Sequence, residues 1–423
     1  MPTPDPRPSW RAMFHAFGRI GLVSFGGPAA QISVMHGELV DRRRWLGEEA
    51  FLGALSFCML LPGPEAMQLA TYAGWRLRGV AGGLMAGLLF VLPGAAVVAA
   101  LALAYVHWGT LPGVQAGFLG IKALVVALVV QALWRLSQRA LTGRAQRLWA
   151  LAGFVAIFAL GLPFPLLILA AALWGLWQGG APGGAAPAPP PAAAPALARS
   201  LGTTLIWALA WLAPVVALRL AGVDFLADLG AFFARLAVLS FGGAYALLAW
   251  MAQVTVEQHG WLTPGQMIDA LGLAETTPGP LILVTQFVAM VAGALRAGPG
   301  LGLAAGALTL WVTFVPCFLF IFVLAPHVDR LLAQPRLKAA LAAVTATVVG
   351  VIASLALWFA LHVLFETVHS AGALPLPALD SLRPLAAVLI ALALLLVLGL
   401  RLGLLPALAL MAALGYATLW LAA

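Results

Sequence analysis

The 423-residue chain carries 63% hydrophobic and only 9% charged side chains, with 22 Lys+Arg against 14 Asp+Glu and a mean hydropathy of +1.03. A soluble domain carries about 25% charged residues, so most of this surface faces something other than water, which excludes a soluble enzyme, a nucleic-acid-binding domain and a disordered protein. An all-α polytopic membrane protein remains, because only helices and closed barrels satisfy their backbone in hydrocarbon and the long apolar runs lack barrel-like alternation.

The chain opens on a Pro-rich stretch, MPTPDPRPSWRAMF, with no continuous apolar core, so no cleavable signal peptide is expected. An amphipathic, Gly-interrupted segment carrying SFGG follows, then the basic run DRRRW at 41–45, then an apolar segment broken by Pro62-Gly63-Pro64. Uninterrupted spans are predicted over roughly 80–106 and 116–134, and the stretch 148–177 is long enough for a hairpin of two helices. Residues 179–202 are rich in Pro, Gly and Ala and read as a linker. The apolar segment within 203–229 predicts an extra linking transmembrane helix. From 230 to 423 the organisation of 1–178 recurs: SFGG, Pro278-Gly279-Pro280, spans near 300–325 and 339–364, and a terminal hairpin at 384–421.

The recurrence is a true internal repeat. Residues 17–64 and 233–280 align without a gap at an offset of 216, with 16 identities in 48, seven of them on Gly, Pro, Arg and Trp. Duplicated membrane modules of this kind are typical of secondary transporters, whose two halves enclose a site near the bilayer midplane. Loop charge predicts that the halves are inverted. The loops at 36–49, 76–79 and 135–147 carry three, two and four arginines and 107–115 none, whereas in the second half only 327–338, with Arg330, Arg336 and Lys338, is strongly basic. Holding 36–49 and 76–79 on one side requires the Pro-Gly-Pro segment to dip into the membrane and return, as broken or re-entrant helices do when they line a cavity.

Pro64 suits a first helical position and Glu65 a first turn, so a helix is expected to begin inside the membrane and turn its free N–H groups toward an anion. Pro278, Gly279 and Pro280, preceded by Thr276 and Thr277, are expected to repeat this from the other half, giving two opposed N-termini suited to a small oxyanion. Ser24 and Ser240 add hydroxyl donors, Gly26, Gly27, Gly242 and Gly243 allow close backbone approach, and Gln68 is polar lining. Arg19 and Arg235 precede the paired glycines within apolar segments, where a charge is costly and points to function. Glu65 and Glu275 are the candidate proton-coupling carboxylates. No P-loop occurs, and no Cys or His set supports a metal, heme or other redox cofactor, which argues against a membrane-embedded reductase.

The stretches GLVSFGGPAAQISVMHGELVDRRRWL, CMLLPGPEAMQLATYAGW, VLSFGGAYALL and HGWLTPGQMIDALGLAETTPGPL resemble the chromate ion transporter family, and the resemblance covers nearly the whole chain. It implies a long-chain, two-repeat carrier of the bacterial inner membrane that exports chromate and confers resistance to it, with sulfate as a close tetrahedral analogue. Membrane potential, a proton gradient or both would drive it, with no cofactor, no nucleic-acid partner, lipid as surroundings, and a monomer or homodimer as the assembly. The alternatives are an uptake carrier for sulfate or a related oxyanion, and an anion channel.

Overall fold

The computed structural model describes residues 8–25, 27–179, 197–241, 244–328, 331, 334–371 and 374–422. Helix dominates, as the lack of water for backbone groups demands. The first half contains α1 (Trp10–Val23), α2 (Gly27–His36), α3 (Glu48–Cys58), α4 (Glu65–Trp108), α5 (Pro112–Ala140), α6 (Arg144–Phe158) and α7 (Phe164–Gln178). After α8 (Leu197–Leu220) the second half brings α9 (Asp224–Val238), α10 (Ala244–Ala252), α11 (Pro264–Glu275), α12 (Val284–Leu324), α13 (Pro335–Leu364), α14 (Pro384–Leu394) and α15 (Leu404–Ala422). Among the described residues, five helical stretches are long and apolar enough to cross a membrane: Glu65–Trp108, Pro112–Ala140, Ser200–Leu220, Leu281–His327 and Pro335–Leu364. The protein is a multi-pass α-helical membrane protein.

The repeat extends to local hydrogen bonds. Wide π-turns follow α2 and α10, at Gly37–Arg42 and Gln253–Gln258, separated by the offset of 216. After the first, the Trp45 N–H donates to the Leu39 carbonyl at 2.8 Å; after the second, the Trp261 N–H donates to the Thr255 carbonyl at 2.7 Å. Both terminal hairpins form as expected, α6 with α7 and α14 with α15. Helices break at SFGG between α1 and α2 and between α9 and α10, and at Pro-Gly-Pro between α3 and α4.

Three details differ from the sequence reading. The helix expected from 203 starts at Leu197 and ends at Leu220, and Gly222, at φ +70°, turns the chain into α9. Its start lies in the stretch read as linker because Leu197-Ala-Arg-Ser-Leu already favours helix once the prolines stop. The 366–383 loop contains a two-stranded antiparallel ribbon, β1 (Val368–Ala371) with β2 (Leu374–Pro377), in which Val368 pairs with Pro377. The third difference concerns the second Pro-Gly-Pro and belongs to the site.

Two compact units form, and each draws on both repeats. The first comprises Met1–Leu101, Pro182–Gly243 and Thr277–Lys338; the second comprises Ala102–Ala181, Ala244–Thr276 and Ala339–Ala423. Within the first, α4 folds back on itself at Arg78–Gly79, where Gly79 takes φ +65°. A Cβ on Gly82 would lie 2.3 Å from the Gly74 carbonyl oxygen, and one on Gly87 would lie 2.5 Å from Thr71 Oγ1. Residues eight and sixteen apart meet this way only if the helix reverses. α12 reverses likewise at Ala297–Gly298, bringing Gly302 against the Met290 carbonyl. The arms before these reversals are about 20 Å long at 1.5 Å per residue, and α3 is about 16 Å, too short to cross ~30 Å of hydrocarbon alone. In the same unit Trp211 Nε1 donates to the Val312 carbonyl and Trp311 Nε1 to the Ala210 carbonyl, both at 2.8 Å, pinning α8 to α12.

The second unit is built on close helix contacts at small residues, the packing expected where lipid removes the hydrophobic driving force. Gly120 of α5 abuts Met411 of α15, Gly350 of α13 abuts Ala150 of α6, and Gly272 of α11 abuts Ile121 of α5. A Cβ at Gly120 would sit 1.7 Å from the Met411 carbonyl oxygen, so the two helix backbones are in contact there.

Candidate functional site

The site grows from the broken helices of the first unit. α1 stops at Ser24 because its backbone leaves the helical region there (φ −82°, ψ 79°), freeing its carbonyl from the helix ladder. That carbonyl accepts a hydrogen bond from the Gly279 N–H at 2.8 Å, so the SFGG break of the first repeat holds the Pro-Gly-Pro of the second. The reciprocal bond is also made: the Gly63 N–H donates to the Ser240 carbonyl at 3.0 Å. Ser24 and Ser240 are repeat equivalents, as are Gly63 and Gly279, so the two bonds form a pair in which each repeat clasps the other.

Glycine is required at both turns. Gly63 takes φ +120° and Gly279 φ +89°, conformations that side chains rarely adopt. A Cβ on Gly63 would come within 2.7 Å of Gln68 Nε2 and 3.2 Å of Cys317 Sγ, and one on Gly279 would meet Leu283 Cδ1 at 3.2 Å. Gly94 of α4 admits Pro278 in the same way, its absent Cβ lying 2.1 Å from that carbonyl oxygen.

Around the clasps the first unit buries polar atoms without protein partners. Ser24 is fully buried and its Oγ bonds nothing, and the Oε1 atoms of buried Gln68 and Gln286 are equally unmatched. Such atoms normally cost about 1–3 kcal/mol each, so their collection beside two strained turns marks a place prepared for a polar guest. Two side-chain amides hold the turns, with Gln68 Nε2 donating to the Pro62 carbonyl at 2.6 Å and Gln31 Nε2 to the Gly279 carbonyl at 2.7 Å, whereas Gln286 Nε2 donates to the Ala95 carbonyl of α4 at 3.0 Å. Ser240 differs from Ser24 in donating its hydroxyl to the Ala237 carbonyl.

The two Pro-Gly-Pro motifs are not equivalent helix starts, which corrects the expectation of two matching N-termini. α4 begins at Glu65 directly after Pro64, and its first-turn N–H groups have no carbonyl within the helix. After Pro280 a 3₁₀ turn at Leu281–Leu283 intervenes, and α12 starts only at Val284, whose N–H already bonds into that turn. The extra turn shifts everything after it by three residues, so the α4 reversal at Arg78–Gly79 matches Ala297–Gly298 at an offset of 219. Gly27 sits at the first position of α2 with φ +83°. Gly26, Gly242 and Gly243 lie outside the described residues.

The two arginines lie elsewhere. Arg19 pairs with Glu38 at 3.1 Å, and Arg42 and Arg43 converge on the same carboxylate at 3.5 and 2.7 Å. Glu38 is buried, and a buried carboxylate holds its charge only with such partners. Arg19, Ser33, Glu38 and Arg42 line a cavity of about 200 Å³, so two of the three guanidinium groups that pair with Glu38 face it. Arg235 is exposed and donates to the Ala231 carbonyl of its own helix. In the second unit, the Thr276 hydroxyl donates to the Leu273 carbonyl, and buried Glu275 accepts from the Tyr245 hydroxyl at 2.5 Å. Glu65 is half-buried at the start of α4, and Thr277 is buried in the first unit. Three participants were not nominated by the sequence: Gln31 and Cys317 at the turns, and Asp269, which the second unit buries. Among the described residues no group of three or more His, Cys, Asp or Glu could hold a metal ion.

Comparison with known proteins agrees with this architecture. The profile described as "Chromate transporter" matches residues 11–176 and again 227–418, one match per repeat. The chain is 34% identical over 353 residues to a chromate transport protein of Pseudomonas aeruginosa, covering 82% of this chain and 80% of that one. It is 29% identical over 348 residues to a chromate transport protein of Cupriavidus metallidurans, covering 81% and 80%. An uncharacterized transporter of Bacillus subtilis, YwrB, is 30% identical over 135 residues, 32% of this chain but 68% of its own, so it is about the size of one repeat. No solved structure matches the chain significantly.

Proposed function

The chain belongs to the chromate transporter family, and from that premise we propose that it is a secondary carrier that exports chromate, or a tetrahedral oxyanion like it, across the bacterial inner membrane and so confers resistance. The observation that carries this reading is the reciprocal pair of bonds, Ser24 with Gly279 and Ser240 with Gly63. A site shared by two repeats is the architecture of alternating access, in which one half moves against the other around a fixed substrate. The first-turn N–H groups of α4, the unspent Ser24 hydroxyl and close backbone approach at Gly63 and Gly279 offer hydrogen-bond donors without a fixed counter-charge, which suits binding and release of a dianion. We assign substrate contact to Ser24, Gly63, Pro64, Gln68, Ser240, Thr277 and Gly279, with Arg19 and Arg235 supplying positive potential, and proton coupling to Glu65 and Glu275.

Voltage favours export. An inside-negative potential drives a dianion outward with about 4.6 kcal/mol per 100 mV, more than a thousandfold gradient. Proton coupling at Glu65, at the start of α4, would make transport respond to the pH gradient as well as to voltage. The test is uptake of radiolabelled chromate into inverted vesicles, with sulfate as competitor and with the potential and the proton gradient collapsed in turn. Uptake that does not saturate with chromate concentration and never exceeds the distribution set by voltage identifies a channel instead. Loss of the pH-gradient response in Glu65→Gln, with voltage-driven uptake retained, supports the coupling role.

A further inference from the structure

The second unit holds a charged cluster that the proposed site does not use. Asp269 lies in the middle of α11, buried, and its Oδ2 accepts from the Tyr105 hydroxyl of α4 at 2.8 Å and forms an ion pair with Lys122 Nζ of α5 at 3.3 Å. Its other oxygen, Oδ1, is buried with no hydrogen-bond partner. Lys122 is ten residues into an apolar helix and keeps only 18% of its side chain exposed. The helices meet closely here: a Cβ on Gly272 would lie 2.5 Å from Ile121 Cγ2, and one on Gly265 would lie 3.4 Å from Lys122 Nζ. The ionisable groups that face Asp269 from the elements packed on it are thus Tyr105 and Lys122.

Two features separate this cluster from a structural ion pair. A purely structural pair is expected to satisfy both carboxylate oxygens, because a bare buried one is costly; here one oxygen takes both the hydrogen bond and the ion pair and the other has neither. The cluster also has no counterpart related by the internal repeat. Gly53 stands at the position equivalent to Asp269, and Leu324 at the one equivalent to Tyr105 after the three-residue shift. A substrate site bound by both repeats alike does not require a charged cluster that is built only once.

We propose that Asp269 is a proton-binding site of the transport cycle, taking the proton on Oδ1, with Lys122 and Tyr105 as its positioning residues. With Asp269 ionised, the cluster is neutral and Lys122 is held. With Oδ1 protonated, no charge opposes Lys122, and the second unit gains one positive charge at membrane depth. An oxyanion within the same protein then binds more tightly, so proton and anion bind cooperatively and each promotes uptake of the other. The inference rests on the oxyanion reading and adds to it a coupling group that lies outside the clasped turns.

The test is chromate binding to the purified full-length protein by calorimetry in buffers of different ionisation enthalpy, which reads protons taken up per anion bound. The wild type is expected to take up a proton on binding, with affinity rising about fivefold or more from mildly alkaline to neutral pH. Asp269→Asn is expected to bind with no Asp269-linked proton and a flatter pH profile; the speciation of chromate itself is common to both proteins and cancels. Should Asp269→Asn fail to fold for want of a partner to Lys122, the double variant Asp269→Asn/Lys122→Gln removes both buried charges together and gives the same readout. Tyr105→Phe removes a donor that favours the ionised carboxylate, so its pH response should move to higher pH, a shift that a merely structural role would not produce. Unchanged proton uptake in the Asp269 variants overturns the inference and leaves the transport reading standing. A wild type that binds no chromate overturns both.

Discussion

At the turns of the clasp single atoms decide what the backbone can do. A methyl group on Gly63 or Gly279 meets both an unfavourable φ and close neighbours, at a cost of about 1–3 kcal/mol each. Gly63→Ala and Gly279→Ala should therefore lower the thermal unfolding temperature of the purified protein and abolish chromate uptake; normal uptake in both would remove these turns from the site. The arginines divide differently. Arg19→Gln withdraws one of three cations from buried Glu38, so it is expected to weaken substrate capture while leaving insertion intact, and Arg235→Gln, on an exposed face, should act only through potential. If both variants transport normally, the two arginines serve only to anchor their segments. His36 offers a pH readout at the same scale. Its hydrogen bond to Glu48, with Asp41 nearby, raises its pKa above the usual value although burial opposes this. A raised folded pKa contributes stability that is complete below the unfolded value and is lost as pH rises through the folded one. His36→Gln should remove that loss from a pH series of unfolding temperatures.

Among the helices, the reversals of α4 and α12 show what was legible and what was not. The Pro-Gly-Pro break and the length of the apolar stretches were readable because proline and glycine limit helix continuation in any context. The reversals at Arg78–Gly79 and Ala297–Gly298 were anticipated only indirectly, from charge on 76–79, since one glycine in a helical run does not by itself announce a turn. The 3₁₀ turn at Leu281–Leu283 was hidden by uniform apolar composition, and the pairing of Asp269 with Lys122 by their separation in sequence. Helix contact gives a graded prediction. Gly79 and Gly298 have open space around the missing Cβ, so Ala there strains only the backbone. Gly120→Ala must push α5 away from α15 against a carbonyl, so it should reduce stability and expression well beyond Gly79→Ala, as read by thermal unfolding in detergent.

For the whole molecule, the sequence predicted two modules in series, and the structure forms two units that each need both modules. Residues 1–178 expressed alone should therefore be degraded, and co-expression with residues 197–423 as a second chain should restore protein and transport. A stable, well-dispersed first half on its own would contradict this. The inverted arrangement of the halves has its own test in cysteine-accessibility labelling, which should place 135–147 and 327–338 in the cytoplasm and 366–383 outside. Finding all three on one face would sink it.

The clasps also carry a bias. Their backbone bonds are alike in kind, but Gln31 adds a buried hydrogen bond to the Gly279 turn, whereas Leu247, its counterpart in the other repeat, has no amide to add. For a carrier that opens one clasp at a time, two equal latches would leave the empty protein divided evenly between its two faces. An additional bond of about 1 kcal/mol on one latch tilts that division about fivefold before any substrate arrives. In such a carrier this one side chain biases the resting orientation, and Gln31→Leu should move the empty carrier toward parity, seen as more equal labelling of a single cysteine from either side.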